Sequence, residues 1–173
     1  TSSATVVVNI TTAPNAGTGS TIMICKVDDS FDLTSRLGGT TDTNGTWSPM
    51  LTSGNNIFDP AVDDAGVYTY TVAATSPCST DAVSQIDVMI EDTPAPTVTI
   101  ASLNLCASDR PMVMDLDAAV NGTMITWYDS IDASIPLADD TLLVDGTSYF
   151  ATQTSSNGCE SDIRVEVTAN VAD

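Results

Sequence analysis

The chain is written in short runs of β-branched, aromatic and hydroxylated residues. Thr21-Ile22-Met23-Ile24-Cys25, Tyr68-Thr69-Tyr70-Thr71-Val72 and Thr97-Val98-Thr99-Ile100 are strand-type stretches of this kind. Ser84-Gln85-Ile86-Asp87-Val88-Met89-Ile90 and Ile163-Arg164-Val165-Glu166-Val167 alternate apolar and polar positions, as strands with one buried face do. Clusters rich in Gly, Asn and Asp, such as Gly38-Gly39, Asn44-Gly45 and Asn121-Gly122, separate the runs. No window carries the stripe of an amphipathic helix, and a single helical turn near Ser35-Arg36-Leu37 is the only helical feature considered. The pattern predicts an all-β protein.

The runs recur with a fixed period. Cys25 and Cys106 stand 81 positions apart, and so do Cys78 and Cys159. Each half places a Trp after its first Cys, Trp47 at 22 positions and Trp127 at 21. Each half also places a Tyr ten positions before its second Cys, Tyr68 and Tyr149. Two tandem immunoglobulin-like β-sandwich domains are expected, at residues 11–94 and 95–173. Residues 1–10 hold the strand-like Thr5-Val6-Val7-Val8-Asn9-Ile10 and are read as the last strand of a preceding repeat. The linker Glu91-Asp92-Thr93-Pro94-Ala95-Pro96 carries two prolines, which favour an extended, semi-rigid connection.

Four cysteines in two equally spaced pairs argue for the bridges Cys25–Cys78 and Cys106–Cys159, because pairing across the halves breaks the repeat. On the chain-entropy model each bridge contributes about 4 kcal/mol. A Cys₄ zinc site is the alternative, but no C-x-x-C knuckle is present. Cys…Trp…Cys is an immunoglobulin-like signature, with Trp47, Trp127, Tyr68 and Tyr149 as its core. Asp64-Ala65-Gly66-Val67-Tyr68 matches the corner at the start of strand F, and Asp145-Gly146-Thr147-Ser148-Tyr149 is a looser copy. The second Cys of each half departs from the antibody pattern. It falls in turn sequences, Ser76-Pro77-Cys78 and Asn157-Gly158-Cys159, so the expected bridge ties an early strand to the F–G turn.

Several motifs of the second half carry a family resemblance. They are Leu105-Cys106, Trp127-Tyr128-Asp129-Ser130, Pro136-Leu137, Tyr149-Phe150-Ala151 and Gly158-Cys159-Glu160-Ser161. In the first half, Gly45-Thr46-Trp47-Ser48 and Gly66-Val67-Tyr68-Thr69-Tyr70-Thr71-Val72 look like a sister repeat. Both halves resemble the Ig-like repeats of giant cell-surface proteins of gliding Bacteroidetes, including the SprB-type gliding-motility adhesins. The resemblance implies a secreted, cell-surface array used in adhesion or gliding, with no catalytic residues to carry over. It also implies O-linked sugars at sites such as Ser130 and Thr141.

Charge narrows the partners. There are 23 acids and four bases, a formal charge of −19, spread evenly over the two halves. Nucleic acid needs clustered positive charge, and an anionic membrane surface repels such a chain. No apolar run approaches the length of a membrane span. Neighbouring repeats of the same chain, and a surface glycan or protein ligand, remain as partners. An oxidising, extracytoplasmic compartment follows from the expected disulfides.

Candidate chemistry is sparse. Histidine is absent, which removes the usual general base and the commonest zinc ligand. Carboxylate pairs are many, but none is singled out as a catalytic acid, and no enzyme activity is expected. Calcium suits the acidic pairs Asp63-Asp64 and Glu91-Asp92, the latter at the linker. The loops lack a complete calcium motif, so solvated turns are the simpler reading and no cofactor is expected. Tyr128 follows Trp127 on one strand and should face the other way, which makes it the candidate exposed aromatic for a sugar. Three functions follow in order: a stalk or spacer segment of an adhesin, a ligand-binding module, and an accessory domain of a secreted hydrolase.

Overall fold

A computed structural model describes residues 3–173. The chain divides into two compact units. Unit 1 takes in the described residues up to Met23 and Asp29–Ile90, and unit 2 takes in Ile24–Asp28 and Glu91–Asp173. The assignment of Ile24–Asp28 to unit 2 was not expected.

The first repeat runs β1 (Ser20–Cys25), β2 (Phe31–Asp32), the 3₁₀ turn η1 (Leu33–Arg36), β3 (Thr46–Ser48), β4 (Ile57–Phe58), β5 (Gly66–Val72) and β6 (Ala82–Glu91). A four-stranded sheet has the order β1-β6-β5-β3, and β2 pairs with β4. In β6, Ser84, Ile86 and Val88 are buried while Val83, Gln85, Asp87 and Met89 face solvent, so the sequence alternation becomes a sheet with one buried face. On β5, Tyr68, Tyr70 and Val72 point to that same core. An aromatic cluster fills it. Phe58 meets Phe31 at 5.7 Å and Tyr68 edge-on at 5.6 Å, and Trp47 lies 4.9 Å from Tyr70. The Asn44-Gly45 turn enters β3 against the face of Tyr70. A Cβ on Gly45 would sit 2.4 Å from that ring, so only glycine fits.

The second repeat runs β7 (Thr97–Val98), β8 (Ser102–Cys106), the 3₁₀ turns η2 (Ala107–Asp109) and η3 (Val113–Ala119), β9 (Val120–Asn121), β10 (Ile125–Tyr128), β11 (Thr147–Gln153) and β12 (Val165–Ala172). Its four-stranded sheet has the order β8-β12-β11-β10, the order of the first repeat over again. β7 pairs antiparallel with β9, and β8 pairs parallel with β12. Val113, Leu116 and Ala119 of η3 pack with Trp127, Tyr149, Ala151 and Val167 in the core.

Four local expectations change. The helical turn near 35–37 is η1, one to two residues earlier, where the Asp32 carboxylate accepts from the Thr34 amide at 2.8 Å. Its longer counterpart η3 was not expected. The closing strand of the second half begins at Val165 rather than Ile163. Arg164 instead turns its guanidinium onto the carbonyls of Ser130, Ile131 and Ala133. The segment Thr5–Ile10, expected to be a strand, pairs with nothing among the described residues. Its side chains are solvated, Val6 at 81% and Ile10 at 89% exposure. Residues 1 and 2 of the expected 1–10 segment lie outside the described residues.

Candidate functional site

Cys25 closes β1 and Cys159 lies in the loop between β11 and β12. These two are bonded, at 5.3 Å between Cα atoms. The expected bridges Cys25–Cys78 and Cys106–Cys159 do not form, and Cys78 and Cys106 are free thiols. The physical reason is placement. Equal spacing in the sequence permits an in-repeat pairing or one staggered by a period, and only the staggered partners stand within disulfide reach. The bridge lies inside unit 2, to which both Ile24–Asp28 and the 91–173 segment belong.

The bridge is the centre of a small network in that unit. Thr93 is buried, and its hydroxyl donates to the Cys159 carbonyl at 2.9 Å. The Lys26 amide donates to the Glu91 carbonyl at 2.9 Å. The Asn157 side-chain amide donates to the Glu91 carboxylate at 2.8 Å. Hydrogen bonds from Ser155 and Asn157 hold the Glu91 carboxyl below the usual range. The Lys26 ammonium donates to the Asp92 carboxylate, and this pairing raises the lysine's pKa. Both ends of that ion pair are solvated, so its worth is small. Beside it lies an open cleft of about 350 Å³ whose lining includes Lys26, Asp92, Thr93, Pro94 and Asp162.

The calcium candidates are not brought together. Glu91 and Asp92 turn to different partners, as above. Asp63 is 4% exposed and accepts four hydrogen bonds: from the Thr52 and Ser53 amides at 2.5 and 3.2 Å, the Ser53 hydroxyl at 2.6 Å and the Asp59 amide at 2.9 Å. Burial pushes the Asp63 carboxyl up, but these donors outweigh it and hold the carboxyl below the ordinary value. Asp63 therefore organises the 52–63 loop. Asp64 contributes its carbonyl, which accepts from the Tyr68 hydroxyl at 2.8 Å. Among the described residues no three acidic or cysteine side chains cluster closely enough to hold a metal ion.

The four core-signature aromatics are all buried. Tyr68 makes the tyrosine corner just described. Burial is the main cause of its raised pKa, helped by Asp63 and Asp64. Tyr149 makes a variant of the corner, its hydroxyl accepting from the Val144 amide at 3.0 Å. Trp127 donates through Nε1 to Asp117 of η3 at 2.8 Å. Trp47 Nε1 has no partner, and its residue borders a shallow cavity of about 370 Å³ with Thr46, Met50, Leu51, Asn55 and Asn56.

Tyr128 is not the exposed platform expected of it. It does leave the Trp127 face, yet it is only 5% exposed, because Arg164 lies 3.6 Å above its ring. Its hydroxyl donates to Glu160 at 2.8 Å, and Thr152 donates to the same carboxylate oxygen at 2.6 Å. Burial comes first and the Glu160 contact second in raising the tyrosine's pKa. Sequence reasoning placed Thr93 in the linker and Asn157 in a turn but gave neither a role. A signal for Thr93 exists in the repeat, since Thr12 stands one period before it.

Residues 94–172 match the family model described as Ig-like domain CHU_C associated. The fold is all-β and Ig-like. The Protocadherin GammaB4 extracellular domain, a crystal structure, is similar over 94% of this chain and 33% of its own, at 15% identity and a TM-score of 0.33. The chain thus spans about a third of that structure's length. No curated protein matches the chain. Among the described residues no helix is long and apolar enough to cross a membrane.

Proposed function

We propose that the chain is a non-catalytic segment of tandem Ig-like domains from a secreted cell-surface adhesin, in which it acts as a stalk or spacer. The observation that carries this reading is the duplicated sheet order on an 81-residue period, with the matching Trp and Tyr buried in both copies. The polar groups that sequence reasoning offered for chemistry are spent on structure. Asp63 ties a loop, Tyr128 is capped by Arg164, and Glu91 and Asp92 hold neighbouring side chains. The resemblance to gliding-motility adhesins extends this reading to an extracellular array used in adhesion or gliding, with neighbouring repeats as its partners. No cofactor is part of this reading, and EDTA is expected to shift the melting temperature modestly at most; a large drop overturns it. The test of the spacer role is binding of the purified chain to glycan arrays and to host or abiotic surfaces. No saturable binding is expected, and specific saturable binding overturns it.

A ligand-binding role is the second reading, favoured by the cavity of about 370 Å³ that Trp47 lines with Met50, Asn55 and Asn56. Its mark would be a saturable change in Trp47 emission on titrating a glycan, abolished in Met50→Asp.

A further inference from the structure

The bonded cysteines occupy two positions that the repeat writes twice. Cys25 and Cys106 are strand-end cysteines, closing β1 and β8, whereas Cys78 and Cys159 lie in the turns that follow β5 and β11. The bridge takes the strand-end cysteine of one copy and the turn cysteine of the next. Shifted by one period in either direction, the same rule leaves two positions open. Cys106 wants a turn cysteine one period after Cys159, and Cys78 wants a strand-end cysteine one period before Cys25. Neither partner lies within these 173 residues.

Two further observations place Cys78 in a prepared site. The Thr93 hydroxyl donates to the Cys159 carbonyl, and Thr12, one period earlier, also touches the matching turn cysteine, though through a different group: its backbone carbonyl lies 3.9 Å from the Cys78 thiol sulfur, which donates to it. The segment Thr5–Ile10 stands one period before Ile86–Glu91, the second half of β6. Its Val7 matches the buried Val88, yet Val7 is solvated. A strand sequence is present here without the sheet that would take it.

We propose that Cys78 and Cys106 are bridge positions for further copies of this repeat. Cys78 receives the strand-end cysteine of a copy on its N-terminal side, and Cys106 receives the turn cysteine of a copy on its C-terminal side. The proposal rests on the repeat-array reading and adds to it a continuous covalent ladder, one staggered bridge per period. The reaction needs a small-molecule disulfide as oxidant. A Cys106 thiolate attacks it, forms a mixed disulfide and releases one small thiol. The incoming turn-type thiolate then displaces the second, so two protein thiols and one small disulfide give one protein disulfide and two small thiols.

The chain itself supplies the probe, because its own Cys78 is a turn cysteine for the Cys106 of a second molecule. Native protein is oxidised with glutathione disulfide and its cross-links are mapped by mass spectrometry, with Cys25–Cys159 as the internal control. The Cys78–Cys106 link between molecules is expected to outnumber the two like-with-like links together by about tenfold, a preference of ~1.4 kcal/mol. Cys78→Ser and Cys106→Ser should each stay monomeric, and their equimolar mixture should give a dimer and stop there. Equal amounts of like and unlike links, a dimer from either single variant, a Cys78–Cys106 bond within one molecule, or a chain that ends only as its glutathione adduct would each overturn the ladder. These outcomes leave the spacer reading standing, since that reading fails on saturable ligand binding instead.

Discussion

The two repeats share a sheet order but stabilise their tryptophans differently. On the first, Trp47 is paired across the strands with Tyr70, and the two rings meet at 4.9 Å with their planes tilted by 46°. On the second, Trp127 faces Ala151 at the same register and hydrogen-bonds Asp117 instead. The residues at the Asp117 position in the first copy, Arg36 and Leu37, offer no such carboxylate. The outer face of the sheet differs in the opposite sense. Where the second repeat has Tyr128, Glu160 and Arg164, the first has Ser48, Ser79 and Val83. One aromatic ring has in effect moved from one side of the sheet to the other. A β-sandwich tolerates this because the inward pattern is kept while individual partners change.

That contrast can be broken at several points, and each unit reports for itself because each holds one tryptophan. The largest effect is expected from Cys159→Ser. Its bridge closes a loop of 134 residues, so its removal should cost about 5 kcal/mol on the chain-entropy model, read as a fall in the urea midpoint of Trp127 emission. Tyr70→Ala comes next, at about 4 kcal/mol, because it empties the space beside Trp47; the Trp47 signal should lose stability while that of Trp127 does not move. Asp63→Ala strands several donors of the 52–63 loop and should cost about 2–3 kcal/mol in unit 1.

The same carboxylate gives that unit a pH dependence. Its folded pKa is depressed, so its contribution is complete above the ordinary value of 3.8 and is lost as pH falls from there through the folded value. Asp63→Asn should flatten that acid limb. Asp117→Ala should cost about 1–2 kcal/mol in unit 2, by leaving the Trp127 indole as unpartnered as that of Trp47. Cys78→Ser should change stability by no more than about 0.5 kcal/mol, in contrast to its repeat-mate Cys159.

The core was legible because burial leaves a periodic trace. The alternation in β6 and the recurring Trp and Tyr positions point to the residues that are buried. The disulfide was not legible, because the 81-residue period makes in-repeat and staggered pairings equally regular, and only the positions of the strand ends distinguish them. Tyr128 shows the limit of alternation as a guide. Its direction follows from Trp127, but its cover comes from Arg164, 36 positions away in the chain. Asp63 was visible as half of an acidic pair. That it serves as the hub of its own loop depends on backbone amides, which carry no sequence signature.

The parallel pairing of β8 with β12 has a mechanical consequence. Its register runs from Ser102 opposite Thr168 to Cys106 opposite Ala172. A tether drawing on the start of β8 and the finish of β12 pulls these neighbours lengthwise past each other. Every rung between them then bears load at once, instead of parting one by one as in a zipper. A domain wired this way resists stretching through the β8–β12 pair, before the rest of its sheet is disturbed.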